Sequence, residues 1–159
     1  MTQLTGNKRT DSGSRVIQAP REAIYQAYLD PEAVMAWRPP EGMRARVFAF
    51  DARVGGKYRM AFEYTAPAHA GLGKTSENLD CFEGEFVELV PNERIVERVV
   101  FESDDPAFAG EMTVITTLAE VPGGTEVTIR CENVPHGISA SDHEAGLKST
   151  LQNLAAFTE

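Results

Sequence analysis

The sequence predicts an α+β protein: one antiparallel sheet of seven strands, two short helices after the first strand, and one long C-terminal helix. Residues 57–64 alternate between apolar and polar side chains, which is typical of a half-buried strand. The segments that separate the later strands are too short for helical crossovers, so neighbouring strands must be antiparallel. An apolar stripe with helical spacing in residues 141–157 predicts the long helix.

The chain of 159 residues suits one domain. Residues 1–13 are polar and aperiodic, and we expect them to form a flexible leader before a single domain of residues 14–159. The first strand is predicted over residues 14–19 and ends at Pro20.

Two short helices should follow this strand. Pro20 suits the first turn of a helix because its missing N–H would have no partner there. Asp30-Pro31 repeats a start signal, a capping carboxylate followed by proline, and Pro39-Pro40 ends the second helix. The apolar positions of the two helices are Ile24, Ala27, Tyr28, Val34, Met35 and Trp37.

The middle of the chain predicts the rest of the sheet. A strand over residues 43–51 is followed by Gly55-Gly56, which permits a hairpin turn, and by the alternating segment 57–64. Residues 65–79 are predicted to be an exposed loop. The remaining strands are predicted over residues 81–90, 94–102, 111–121 and 125–133.

The last helix should cover the sheet. Ser141 and Glu144 fit a capping box at its start, and Leu147, Leu151 and Leu154 form one apolar face. A long twisted sheet curls, and one helix closes its inner side without filling it completely. We therefore expect a cavity between helix and sheet.

Several motifs point to a known family. They are the segment 19–25 (APREAIY), Asp30-Pro31-Glu32 with Trp37, the pattern D-x-R-x-G-G-x-[FY] in residues 51–58, and the segments 84–96 and 123–128. In this order and spacing the chain resembles the SRPBCC, or START-like, helix-grip superfamily over roughly residues 14–158. It is most similar to the branch of homologues of the activator of the heat-shock-chaperone ATPase, and it is also similar to polyketide cyclase-like proteins.

The resemblance implies a seven-stranded antiparallel sheet that grips the C-terminal helix around a hydrophobic pocket. It does not imply one function, because relatives include lipid and hormone binders and polyketide cyclases. Relatives often have Glu-Gly-Trp at the last helix, where this chain has Ala145-Gly146-Leu147. The smaller Leu147 implies more room, or a repacked pocket, at that point.

We predict a ligand-binding role for nine residues that face this cavity or close it: Trp37, Tyr58, Met60, Phe62, Tyr64, Glu97, Met112, Leu147 and Leu151. Ordinary core packing is the alternative interpretation of the aromatic members. Glu97 and Arg98 are adjacent on a strand, so one of the two must face inward. An inward carboxylate would be a candidate acid or base.

No catalytic or metal site is predicted, and no cofactor is expected. The histidines His69, His136 and His143 have no second ligand at a metal-binding spacing, and we expect them to be exposed or locally bonded. The predicted function is binding of a lipid-like, aromatic or polyketide-like molecule. The alternatives are a cofactor-independent cyclase or hydrolase and a chaperone-related protein–protein interaction domain.

Charge and composition exclude other partners. The formal net charge of −9 argues against non-specific binding to nucleic acid and against docking on an anionic membrane. No segment has the roughly 20 apolar residues of a membrane span, and the N-terminus lacks a secretory signal. We therefore expect a cytoplasmic protein with a small hydrophobic or amphipathic ligand, and a homodimer is a candidate assembly.

Overall fold

The computed structural model describes residues 9–40, 42–65 and 79–159. One seven-stranded antiparallel sheet has the order β1-β7-β6-β5-β4-β3-β2, which confirms the predicted fold class. The elements are β1 (Arg9–Ile17), α1 (Arg21–Leu29), α2 (Pro31–Trp37), β2 (Met43–Phe50), β3 (Lys57–Tyr64), β4 (Leu79–Val90), β5 (Arg94–Phe101), β6 (Glu111–Val121), β7 (Gly124–Val134) and α3 (Ala140–Thr158). A short 3-10 turn at Pro106–Phe108 was not predicted.

The first strand is longer than predicted. β1 begins at Arg9, so residues 9–13 belong to the sheet and the prediction of a flexible leader is wrong for them. These residues are polar, and therefore resemble a leader in the sequence, because β1 is an edge strand that pairs with β7 on one side only. Gly13 faces α3, and a Cβ at this position would lie 3.4 Å from the Leu147 Cβ, so glycine lets the helix lie close. Residues 1–8 and 66–78 lie outside the described residues, and so does most of the predicted loop 65–79.

The long helix begins one residue before the predicted cap. The Ser139 hydroxyl accepts a hydrogen bond of 3.1 Å from the Asp142 backbone N–H, and α3 starts at Ala140. The predicted capping box of Ser141 and Glu144 is therefore wrong, because both residues already lie inside the helix. The sequence offers two serines two positions apart, and only the backbone decides which of them caps.

The motif in residues 51–58 forms the turn between β2 and β3. Arg53 donates to Asp51 at 2.8 Å across the turn, and Gly55 has a φ of 82°, which favours glycine. At Gly56 a Cβ would lie 2.1 Å from the Asp51 carbonyl oxygen. The Gly55 N–H donates to the Phe86 carbonyl, and the Phe86 N–H donates to the Gly56 carbonyl. The motif therefore fixes a hairpin against β4.

Strand β2 forms one edge of the sheet. Its pairing with β3 is interrupted by a bulge between Val47 and Ala49. Arg44 and Arg46 have exposed side chains and both pair with Glu63 on β3.

The core lies between the sheet and α3. The buried face of α3 comprises Leu147, Leu151, Leu154 and Ala155. Among the described residues, no helix combines the length and apolar character needed to span a membrane.

Candidate functional site

A pocket of about 900 Å³ lies between α3 and the sheet. This volume is within the range of small-molecule sites, roughly 300–1,000 Å³. Ser139, Asp142 and Ala145 line it and are exposed, so its mouth is at the first turns of α3. The deepest lining residues, which are at most 1% exposed, are Tyr28, Trp37, Glu97 and Thr116.

The structure brings six of the nine predicted site residues to this pocket: Trp37, Phe62, Tyr64, Glu97, Met112 and Leu147. The other three, Tyr58, Met60 and Leu151, are buried in the core but do not line the pocket. Tyr58 and Met60 do share a face with Phe62, as predicted, but that face continues beyond the pocket. Ligand contact by any of the nine stays a prediction.

Trp37 has a structural role as well as a place in the pocket wall. Its indole N–H donates to the Ala27 carbonyl at 2.9 Å, and its ring centroid lies 4.6 Å from that of Tyr28. The residue is 1% exposed. Trp37 therefore joins α1 to α2 and presents only part of its ring to the pocket.

Glu97 is the inward member of the pair at 97 and 98. It lies on β5 between the buried Ile95 and Val99, and it is 0% exposed. The Arg98 side chain points to the opposite face and approaches Glu85 at 3.7 Å. A carboxylate in this interior must find cationic or hydrogen-bonding partners, because an isolated buried charge is strongly destabilising.

Arg38 and Tyr58 are those partners. Arg38 Nη2 donates to Glu97 Oε1 at 2.9 Å, and the Tyr58 hydroxyl donates to the same oxygen at 2.6 Å. Arg38 Nη2 also lies 3.4 Å from the Tyr58 hydroxyl, and the Arg38 guanidinium lies 5.5 Å from the centroid of the Tyr58 ring. We name Arg38, Tyr58 and Glu97 the polar cluster.

The end of α2 places Arg38 in this cluster. The Arg38 N–H donates to the Val34 carbonyl and completes the last helical turn, and the prolines that follow prevent another. Two side chains of α3 hold the backbone there: Thr150 donates to the Arg38 carbonyl at 3.2 Å and Asn153 to the Pro39 carbonyl at 2.9 Å. The last helix therefore fixes the position of the cluster's cation.

A glycine lets Tyr58 reach Glu97. Tyr58 on β3 pairs with Gly84 on β4, and its ring crosses β4 at that point towards β5. A Cβ on residue 84 would lie 2.0 Å from the Tyr58 Cζ. The ring sits between Phe82 and Phe86, with centroid separations of 6.4 and 5.3 Å. Any side chain at position 84 would displace the ring.

The protonation states of the cluster follow from these contacts. Burial alone would lower the pKa of Arg38, but the neighbouring Glu97 carboxylate and the phenol oxygens raise that pKa above its ordinary value. Burial, followed by the negative charge of Glu97, raises the pKa of Tyr58 well above its usual range. Arg38 is therefore a cation and Tyr58 a neutral donor at physiological pH.

Two atoms of the cluster remain without a partner. Arg38 Nη1 and Glu97 Oε2 are buried and make no hydrogen bond in the structure. The Glu97 side chain is 0% exposed and that of Arg38 is 12% exposed, and both residues line the pocket. Buried polar groups in proteins are nearly always satisfied, and an ordered water or a group of a ligand beside these two atoms would satisfy them.

A second polar group lies elsewhere along the pocket wall. His143 Nδ1 lies 2.7 Å from Asp11 Oδ2, and Arg9 Nε lies 3.0 Å from both Asp11 oxygens. Arg9 also donates through Nη2 to the Ile138 carbonyl. Burial would raise the pKa of Asp11, but the hydrogen bonds from Arg9 and His143 outweigh it and lower that pKa. His143 lines the pocket, whereas Asp11 does not.

The expectation for the histidines is met by one and fails for another. His136 is exposed, as predicted. The prediction for His143 is wrong, because its partner Asp11 is 132 positions away and its side chain is only 14% exposed. His69 lies outside the described residues. No group of three metal-ligating side chains occurs within residues 9–40, 42–65 and 79–159.

Sequence reasoning missed Arg38, Asp11 and His143. Arg38 had a usable signal: an inward carboxylate at Glu97 requires a cation, and Arg38 follows Trp37 at the predicted end of α2. Asp11 and His143 had none, because the pairing of β1 with β7 and the path of α3 bring them together.

The comparisons with known proteins agree with this fold. The model of the family "Activator of Hsp90 ATPase homolog 1-like protein" matches residues 18–159. The crystal structure of protein CV1439 from Chromobacterium violaceum is 37% identical, with 94% of this chain and 96% of that chain covered and a TM-score of 0.83. The solution structure of an AHSA1-like protein from Aeromonas hydrophila is 18% identical, with coverages of 94% and 91% and a TM-score of 0.69.

A structure of protein Ms6760 from Mycobacterium smegmatis, 20% identical, covers 94% of this chain and 90% of its own, with a TM-score of 0.71. A search of curated protein sequences gave no match. The family model covers nearly the whole chain, and the protein from Chromobacterium violaceum matches along almost its full length. The chain therefore belongs to the Activator of Hsp90 ATPase homolog 1-like protein family, within the SRPBCC superfamily, as its sequence motifs predicted.

Proposed function

We propose that this protein binds a small, mainly hydrophobic molecule in the pocket between α3 and the sheet. Lipid-like, aromatic and polyketide-like molecules fit this description. The observation that carries the proposal is that Arg38 and Glu97, two residues that line an otherwise largely apolar pocket, each keep one buried atom without a hydrogen-bond partner, Arg38 Nη1 and Glu97 Oε2.

The size and lining of the pocket support this proposal. Phe62, Met112 and Leu147 contribute apolar surface that a ligand would remove from water. A pocket that served only as packing would be filled by side chains, because protein interiors are close-packed. Polar groups that satisfy each other fully would also need no ligand, whereas this cluster leaves two atoms open.

Binding is tested with the neutral, polarity-sensitive dye N-phenyl-1-naphthylamine. We expect a saturable rise of dye fluorescence with one dye per chain, and quenching of Trp37, the single tryptophan. Gly146 lines the pocket, and a Cβ on this residue would have no atom within 4 Å, so Gly146→Leu adds a side chain to free space. This variant should weaken dye binding, and native mass spectrometry of protein taken from cells would reveal a retained ligand.

Gly146→Ala is the matched control, because it changes the same residue but adds one methyl group. It should bind the dye like the wild type. No saturable signal with the wild type, or equal binding by the two variants, contradicts the proposal.

A cofactor-independent enzyme is the second candidate, and the Asp11–His143 pair favours it. Asp11, whose pKa is lowered, accepts a hydrogen bond from His143 Nδ1, and this contact selects the tautomer in which Nε2 carries the lone pair. A histidine oriented by a carboxylate at a pocket wall is a suitable general base. This alternative predicts that His143→Gln abolishes any turnover found in an ester or carbon-acid screen while dye binding remains. Turnover unchanged in this variant would exclude the role.

The remaining expectations rest on the family's name and on the sequence. A chaperone-related interaction role rests on the family's name, and pull-down with an Hsp90-type chaperone tests it directly. A homodimer, a cytoplasmic location and the lack of nucleic-acid or membrane binding stay predictions of the sequence. Analytical ultracentrifugation measures the first of these.

A further inference from the structure

The geometry of the polar cluster points to one chemical class of ligand, and this inference rests on the proposed binding function. We propose that the ligand carries an uncharged group with both a hydrogen-bond acceptor and a donor, of the carboxamide type, on an apolar body. Amides, lactams and ureas belong to this class.

The two open atoms have opposite requirements. Arg38 Nη1 can only donate, and Glu97 Oε2, on a carboxylate that forms an ion pair with Arg38, can only accept. The other oxygen of Glu97 is already shared by Arg38 Nη2 and the Tyr58 hydroxyl. A ligand that satisfies both open atoms must therefore bring one acceptor and one donor.

The charge of the cluster selects against ions. Arg38 and Glu97 form a pair 2.9 Å apart whose charges cancel, and Tyr58 is neutral. An anionic head group would have no donor for Glu97 Oε2 and would bring a second negative charge close to it. A cationic head group would have no acceptor for Arg38 Nη1. Either ion would be desolvated without a free counter-charge, which is strongly unfavourable in a protein interior.

Because the site is deep, binding should depend strongly on how well the head group of the ligand satisfies the two open atoms. Glu97 is 0% exposed, and Tyr28 and Thr116, which line the same wall, are at most 1% exposed. Hydrogen bonds to charged partners are stronger than neutral ones, and a buried donor or acceptor left open carries the full cost of its desolvation. The head group should therefore contribute selectivity, while the apolar body contributes affinity.

The test compares four ligands that share an eight-carbon chain: octanamide, N,N-dimethyloctanamide, octanoate and octylammonium. Binding to the full chain is measured by isothermal titration calorimetry and by fluorescence of Trp37. N,N-dimethyloctanamide keeps the acceptor and lacks the donor. We expect octanamide to bind at least about tenfold more tightly than the other three, since one lost hydrogen bond to a charged group corresponds to roughly that factor.

A variant reverses the expected order. Glu97→Gln removes the negative charge, keeps an oxygen for Tyr58 and leaves Arg38 as an uncompensated cation. Octanoate should then become the tightest ligand of the four. Glu111→Gln is the matched control, because Glu111 is exposed and does not line the pocket, and it should keep the wild-type order.

The outcomes separate the two proposals. Binding of all four ligands within about threefold of each other, or tighter binding of octanoate or octylammonium by the wild type, overturns the inference and leaves the binding function intact. No binding of any ligand and no binding of the dye overturns both. The ranking on the wild type decides the inference even if Glu97→Gln fails to fold.

Discussion

Replacement of Gly84 by alanine should damage the protein from a position outside the pocket. A Cβ at residue 84 would lie 2.0 Å from Tyr58 Cζ and 2.3 Å from its hydroxyl oxygen. Carbon atoms in ordinary contact are about 3.5–4.0 Å apart, so the ring must move by roughly 1.5 Å. The 2.6 Å hydrogen bond to Glu97 cannot survive this shift.

The magnitude follows from three contributions. A lost hydrogen bond to a charged group costs about 1.5–3 kcal/mol. Overpacking in a filled core costs about 1–3 kcal/mol. Replacing a glycine within a strand by alanine reduces the backbone entropy lost on folding and so stabilises the fold by about 0.5–1 kcal/mol. We therefore expect Gly84→Ala to lower the free energy of unfolding by about 2–5 kcal/mol, measured by urea denaturation at pH 7.

Two controls make this prediction specific. In a Tyr58→Val background the ring is absent, and Gly84→Ala should then be neutral or stabilising by up to about 1 kcal/mol. Gly146→Ala, at a helical glycine with open space around it, should stabilise the wild type by about 0.5–1 kcal/mol. A loss below about 0.5 kcal/mol for Gly84→Ala, or the same loss in both backgrounds, would refute the role assigned to Gly84.

Three further predictions concern other parts of the molecule. Asp11→Asn should reduce the free energy of unfolding at pH 7. Because folding lowers the pKa of Asp11, the difference in this free energy between variant and wild type should shrink as the pH falls below about 3.9. A constant difference from pH 7 to pH 3 would contradict this prediction. Ser139→Ala should cost about 1 kcal/mol in urea denaturation, whereas Ser141→Ala should change stability by less than about 0.5 kcal/mol; equal effects would reject Ser139 as the cap. Burial raises the pKa of Cys131 to about 12 and also raises that of Cys81. Both thiols should therefore react with Ellman's reagent at pH 8 far more slowly in the native protein than in the urea-unfolded protein. Rapid reaction of the native protein would show that the thiols are accessible.

The fold was predictable because its signals are local. The alternation in residues 57–64 marks β3, and glycine or proline turns separate the later strands, so β3 and β6 were predicted with the bounds that the structure has. β1 was predicted too short because an edge strand paired on one side tolerates polar residues, which read as loop. The helix cap was misplaced for a similar reason, since Ser139 and Ser141 are chemically equivalent in the sequence.

The candidate site was only partly predictable, because its polar contacts join distant segments. Periodicity placed Glu97 on a strand and predicted that either Glu97 or Arg98 faces inward. It could not bring Arg38 to Glu97, which are 59 positions apart, nor His143 to Asp11, which are 132 positions apart. Tyr58 shows the same limit. The face of β3 that carries Tyr58 was predicted correctly, but the passage of the Tyr58 ring over Gly84 depends on the register between β3 and β4.

The edge of the sheet formed by β2 bears on how the protein aggregates at high concentration. An uncovered strand is a template on which further chains can add and grow into fibrils. On β2 the exposed guanidinium groups of Arg44 and Arg46 repel a like strand, and the bulge between Val47 and Ala49 spoils the straight ladder that such growth needs. Concentrated solutions should therefore resist β-type aggregation along this edge.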